Sequence, residues 1–164
     1  MLNSEQQLRS IAITKVAEAF LRHRIGEKVL NLTANVPVDS LLQDIWLIVQ
    51  TQKIYLREGA RDLNVKLEGE LIIQPTYYHH SRKHGLLSVY ESLLLSHKAE
   101  AALRVEIYKD LARMSRPAPK SVIMGWSDML DLDPSWSEKM IRTYNNHRKT
   151  KDFPIISAAH EFAF

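Results

Sequence analysis

The sequence predicts a mainly α-helical, α+β protein with a minor β-hairpin: a helical body followed by a C-terminal unit like a helix-turn-helix. Three observations lead there. Apolar residues recur at helical spacing over most of the chain, strand-like alternation is confined to short stretches, and the few Gly and Pro fall between periodic segments. The 164 residues are 45% hydrophobic and 25% charged, with five Gly and six Pro. That composition suits an ordinary folded core rather than a disordered chain. No internal repeat or low-complexity tract is present.

A first helix is predicted from the capping-box spacing of Ser4 and Gln7, followed by a stripe of Leu8, Ile11, Ala12, Lys15, Val16, Ala19 and Phe20. Gly26 is its natural stop. Lys28 to Thr33 alternates and predicts a short strand, which Asn35-Val36-Pro37 breaks. A second helix starts near Asp39 or Ser40, where Ser40 and Gln43 repeat the capping spacing. Leu41, Leu42, Ile45, Trp46, Ile48, Val49 and Ile54 form its broad apolar face, and Gly59 ends it. Asn64 to Ile73 alternates around Glu68-Gly69 and predicts a small hairpin.

Gln74 to Gly85 is a loop, opened by Pro75. The longest helix is predicted over Leu86 to Met114. Its apolar positions are Leu87, Tyr90, Leu94, His97, Ala101, Leu103, Val105, Tyr108 and Leu111, with no Gly or Pro between them. Ser115-Arg116-Pro117-Ala118-Pro119 ends it, because proline lacks an amide donor and biases its neighbour away from helix. This stretch divides a body (1–114) from a C-terminal unit (120–150), within what is expected to be a single folded unit. The tail, 153–164, carries Phe153, Ile155, Ile156, Phe162 and Phe164. That much apolar surface is costly to leave in water, so the tail is expected to dock on the body or on a partner.

The chain has no cysteine. Disulfides, a Cys-ligated zinc site and a Cys nucleophile are therefore excluded. The first 20 residues lack the basic start, apolar run and cleavage site of a secretory signal. No apolar run approaches the roughly 20 residues that span a bilayer. A cytoplasmic protein without a membrane segment is expected. The net charge of +3 permits a nucleic-acid partner without requiring one.

The segment Val122 to Lys151 carries the functional expectation. It divides into a short helix (121–130), a polar turn (Asp131-Leu132-Asp133-Pro134) and a second helix (135–148). Pro134 and Ser135 suit a helix start. Trp126, Met129 and Leu130 are placed to meet Trp136, Met140 and Ile141, with Leu132 buried in the turn. The second helix then presents Ser135, Lys139, Arg142, Thr143, Asn146 and Arg148 outward. Arg can pair with guanine and Asn with adenine, while Lys, Ser and Thr hold phosphates. Arg148, Lys149 and Lys151 extend a basic run that draws phosphate. Two features depart from the usual pattern: Asp131 stands where many such units carry Gly, and Ser137 stands where a branched aliphatic is common. Asp128, Asp131, Asp133 and Glu138 would repel phosphate unless they point away.

Tyr77 to His84 interleaves aromatics with bases, and Arg82 and Lys83 offer a second backbone contact. His80 and His84 have metal-ligand spacing only if helical, and no acidic ligand is near. No metal, cofactor or catalytic residue is predicted, because no phosphate loop, dinucleotide fingerprint or nucleophile elbow is present. The expectation is a regulatory or accessory protein that binds double-stranded DNA, as a homo-oligomer through the long helix and the apolar tail. The alternative is a non-catalytic adaptor or a subunit of a larger assembly, joined through the tail and the second helix.

Overall fold

The computed structural model of the chain describes residues 8–26, 29–32, 37–50, 65–75 and 89–149. In order, the elements are β1 (Arg9–Ile13), α1 (Lys15–Ile25), β2 (Val29–Leu32), α2 (Ser40–Gln50), β3 (Gly69–Pro75), α3 (Val89–Ala112), α4 (Pro119–Met129) and α5 (Pro134–Lys149). The chain is thus mainly helical with a small sheet. It divides into two units, Met1–Ala99 and Glu100–Phe164, and α3 contributes to each. None of the helices among the described residues is long and apolar enough to cross a membrane. Residues 77–84 with Arg82 and Lys83, residues 153–164, and Lys151 lie outside the described residues.

In the first unit the sheet order is β1-β3-β2, with β1 antiparallel and β2 parallel to β3. Two expectations are corrected here. Residues 9–13 form a strand, not the start of a helix. Helical geometry would set Ile11 and Ile13 about 200° apart, so only one could face a core. As a strand both are buried, at 3% and 0% exposure, which adds roughly 2 kcal/mol of burial for the second side chain. The expected hairpin at 64–73 is also absent. Residues 65–68 are not strand, and β3 pairs on one edge with β1 and on the other with β2. A local hairpin would have occupied one of those edges. Leu71 and Ile73 face the core beside Ile11 and Ile13, while Ser10, Ala12 and Glu70 are exposed. On that outer face the Ser10 hydroxyl donates to the Glu70 carboxylate.

The junction between β1 and α1 shows how the unit is held. Thr14 caps α1, its hydroxyl accepting from the Ala17 amide at 3.2 Å. Its own amide donates to the buried Ser96 hydroxyl of α3 at 3.1 Å, and Ser96 donates in turn to the Ser92 carbonyl at 2.8 Å. The helix buries Ala17, Phe20 and Leu21 and closes at Gly26, whose φ of 71° is left-handed. Here the sequence-based stop is correct. Gly69 is needed for space, not for a turn. A Cβ there would lie 2.7 Å from the Thr14 carbonyl oxygen and 2.9 Å from Glu18 Oε2.

Helix α2 buries Leu41, Ile45 and Ile48, one residue per turn. Its cap is Asp39 rather than the expected Ser40. Asp39 Oδ1 accepts from the Leu41 and Leu42 amides, each at 3.0 Å, and Oδ2 accepts from Arg24 at 2.7 Å. Burial works to raise the Asp39 carboxyl, but Arg24 and the two amides outweigh it and hold the group below its ordinary 3.8. Along α3 the buried stripe is Leu95, Ser96, Ala99, Leu103, Ile107, Tyr108 and Leu111. His97, expected on the apolar stripe, is exposed.

Two outcomes are expected. Gly69→Ala forces β3 away from Thr14 and should destabilise the protein by about 1–3 kcal/mol in a denaturant melt, as overpacked sites do. A Gly69→Ala variant as stable as the parent would contradict the contact. Asp39→Asn should lower stability at neutral pH. Because the folded carboxyl titrates below the unfolded one, its contribution is complete above pH 3.8 and fades as pH falls through the folded value. The gap between variant and parent should therefore close in melts taken at progressively lower pH.

Candidate nucleic-acid interface

The second unit is built from the later turns of α3 with α4 and α5. Pro119 occupies the first turn of α4, where a missing amide costs nothing. Helix α4 turns Ile123, Ser127 and Leu130 inward, at spacings of four and three residues. Trp126 is half-buried, and its indole N–H donates to Asp110 of α3 at 2.9 Å. Met129, expected in the helix contact, is instead 52% exposed. Helices α4 and α5 pack together, and α5 contributes buried Ser137 and Met140. Tyr144 of α5 meets Tyr108 of α3 with ring centroids 6.1 Å apart. Burial, partly offset by the Arg104 charge, raises the Tyr108 phenol above its ordinary value, and Tyr144 adds to the rise.

Asp131 makes the turn. Its φ of 51° is left-handed, and it is the one non-glycine residue with positive φ among the described residues. The Leu132 amide reaches back to the Ser127 carbonyl at 2.9 Å, and the Asp131 amide to the Asp128 carbonyl at 3.2 Å. This pair of bonds is the Schellman closure that usually employs glycine. So Asp131 departs from glycine in residue type, yet adopts the backbone that glycine favours. Asp tolerates it better than most residues.

Asp133 caps α5, whose first residue is Pro134, as the sequence predicts. Its Oδ1 accepts from the Ser135 amide at 2.8 Å, and its carbonyl accepts from Trp136. Hydrogen bonds from the Ser135 side chain and amide hold this carboxyl below its ordinary value. The signal that could have found it is the Asp-Pro-Ser run itself, an N-cap type directly before proline. Ser137 is 8% exposed, and its hydroxyl donates to the Pro134 carbonyl at 2.8 Å. A small, internally satisfied side chain thus sits where such units commonly carry a branched aliphatic.

The burial of Ser137 and Met140 orients α5. Ser135, Lys139, Arg142 and Asn146 are exposed. At about 100° per residue they fall within roughly 60° of one another, because their spacing follows whole helical turns. Glu138 is exposed too, and lies about 40° from Arg142 on the other side. Of the remaining positions, Thr143 is not presented outward as expected. Thr143 is half-buried, and its hydroxyl donates to the Lys139 carbonyl at 2.9 Å. Arg148 is exposed, but lies about 150° around the helix from the centre of the stripe and about 20° from the line of buried Ser137. Lys149 is the last residue of α5. The acids divide likewise: Asp133 is turned to its own helix, while Glu138 stands on the exposed face.

No group of three or more His, Asp or Glu residues that could hold a metal occurs among the described residues. No protein family, no curated protein and no solved structure matches the chain.

The turn yields a test of its own. Asp131→Gly should raise stability by up to about 1 kcal/mol by relieving the left-handed strain, whereas Asp131→Val should lower it by about 1–2 kcal/mol. Equal melting temperatures for the two variants would rule out the left-handed turn.

Proposed function

We propose that the C-terminal unit binds double-stranded DNA by laying α5 in the major groove. The observation that carries this reading is the stripe Ser135, Lys139, Arg142 and Asn146, exposed together on one side of a helix whose other side is buried. A helix about 10–12 Å across fits a groove about 12 Å wide. In that groove Arg142 can make two hydrogen bonds to guanine and Asn146 two to adenine, while Ser135 and Lys139 hold phosphates or bases at the leading turn. Arg148 opens the basic run at the end of α5, which draws phosphate. Lys149 and Lys151 extend the same basic run in sequence.

Support also comes from the architecture. Three helices with a short turn between the last two are a frame in which the final helix is the reading element. One such module buries little surface by itself, so the proposal includes two copies on paired half-sites.

The test is a titration against random-sequence duplex at two salt concentrations, with Arg142→Glu alongside. Binding by the parent should be weak, fall as salt is raised and be lost in Arg142→Glu. Lys139→Ala should reduce the salt slope by about one. Absence of binding at low salt, or affinity untouched by Arg142→Glu, would overturn the reading.

A further inference from the structure

Glu138 is out of place on a surface meant only to attract phosphate. It is exposed on α5 one turn before Arg142, on the same side of the helix. Among the described residues it is held by no ion pair or hydrogen bond. Asp133, another acid near this face, is spent as the cap of α5, whereas the Glu138 side chain caps nothing. A carboxylate there repels the DNA backbone and can only accept hydrogen bonds. In the major groove the donors available to it are the exocyclic amines of cytosine and adenine, and a carboxylate pairs best with cytosine N4. Thymine and guanine present acceptors at the corresponding edge and would be rejected.

We infer that Glu138 is a specificity-determining residue that selects cytosine in the major groove, about two base-pair steps from a guanine read by Arg142. The inference rests on the DNA-binding reading above. Four residues of helix rise about 6 Å, which is close to two base-pair steps at about 3.4 Å each. Glu138 and Arg142 therefore address base pairs near one another, one through an acceptor and the other through donors. The carboxylate gives up general affinity in exchange for discrimination.

The experiment is site selection from a random duplex pool by the full chain, followed by competition binding of the selected duplex and of single-base variants. The parent, Glu138→Ala and Glu138→Gln are compared. The parent should prefer cytosine at one position by about tenfold or more. In Glu138→Ala that preference should vanish while affinity for unselected duplex rises. In Glu138→Gln it should move towards adenine. Preferences elsewhere in the site should persist. A rise in affinity with the cytosine preference unchanged would overturn the role of Glu138 and leave DNA binding intact. Failure of the parent to bind any duplex would overturn the DNA-binding reading, and this inference with it.

Discussion

The exposed face of α5 depends on one backbone reversal. At Asp131 the chain takes a left-handed conformation, which costs a non-glycine residue roughly 1–2 kcal/mol, somewhat less for Asp. What retains it is the pair of amide bonds back to Ser127 and Asp128, together with the burial that the reversal permits. Leu130 is buried on one side of the turn, and Ser137 and Met140 on the other. Rolling α5 by 100° would turn Glu138 inward in one sense, in place of Ser137, and Lys139 inward in the other, in place of Met140. The direction in which Arg142 and Asn146 point is therefore a consequence of the turn and of the two inward residues that follow it.

The first unit uses a comparable device with different chemistry. There the chain leaves β1 at Thr14, whose hydroxyl, amide and carbonyl all work. The hydroxyl caps α1, the amide reaches Ser96, and the carbonyl accepts from Glu18. Gly69 must be bare for β3 to approach that carbonyl. One junction thus couples strand pairing, helix initiation and the buried polar stripe of α3. Hydrophobic periodicity cannot report such a coupling, because its members are Thr, Ser and Gly.

That difference explains what was legible in the sequence. Helices α4 and α5 were read within a residue or two because Pro119 and Pro134 mark their starts locally. Gly26 and the break at 115–119 were legible for the same reason. The strand at 9–13 was misread because Ile11 and Ala12 also continue the helical stripe of Val16, Ala19 and Phe20, and burial of both Ile11 and Ile13 beside Leu71 and Ile73 decided it. The hairpin at 64–73 was misread because its alternation is real, but its partners lie far away in sequence. On α5, periodicity placed Ser135, Lys139, Arg142 and Asn146 on the outer side, where they are exposed, whereas the direction of Met129, the position of Arg148 away from that stripe and the cap at Asp133 required three dimensions.

Charge sets the remaining constraint on the proposed function. Residues 100–164 hold ten Lys and Arg against nine Asp and Glu, so this unit carries little net attraction for a polyanion. A strongly basic domain can gain most of its affinity from counterion release, irrespective of sequence. A nearly neutral one cannot, and any useful binding must come from where its few cations stand. Lys139 and Arg142 stand on one exposed side of α5, with Asn146 beside them and Glu138 among them. Such a surface would bind unselected DNA weakly and lose further affinity at mismatched sites, because its carboxylate would face acceptors. Under the DNA-binding reading, weak general attraction and sharp discrimination therefore have the same origin: a helix face that mixes donors and an acceptor at whole-turn spacing.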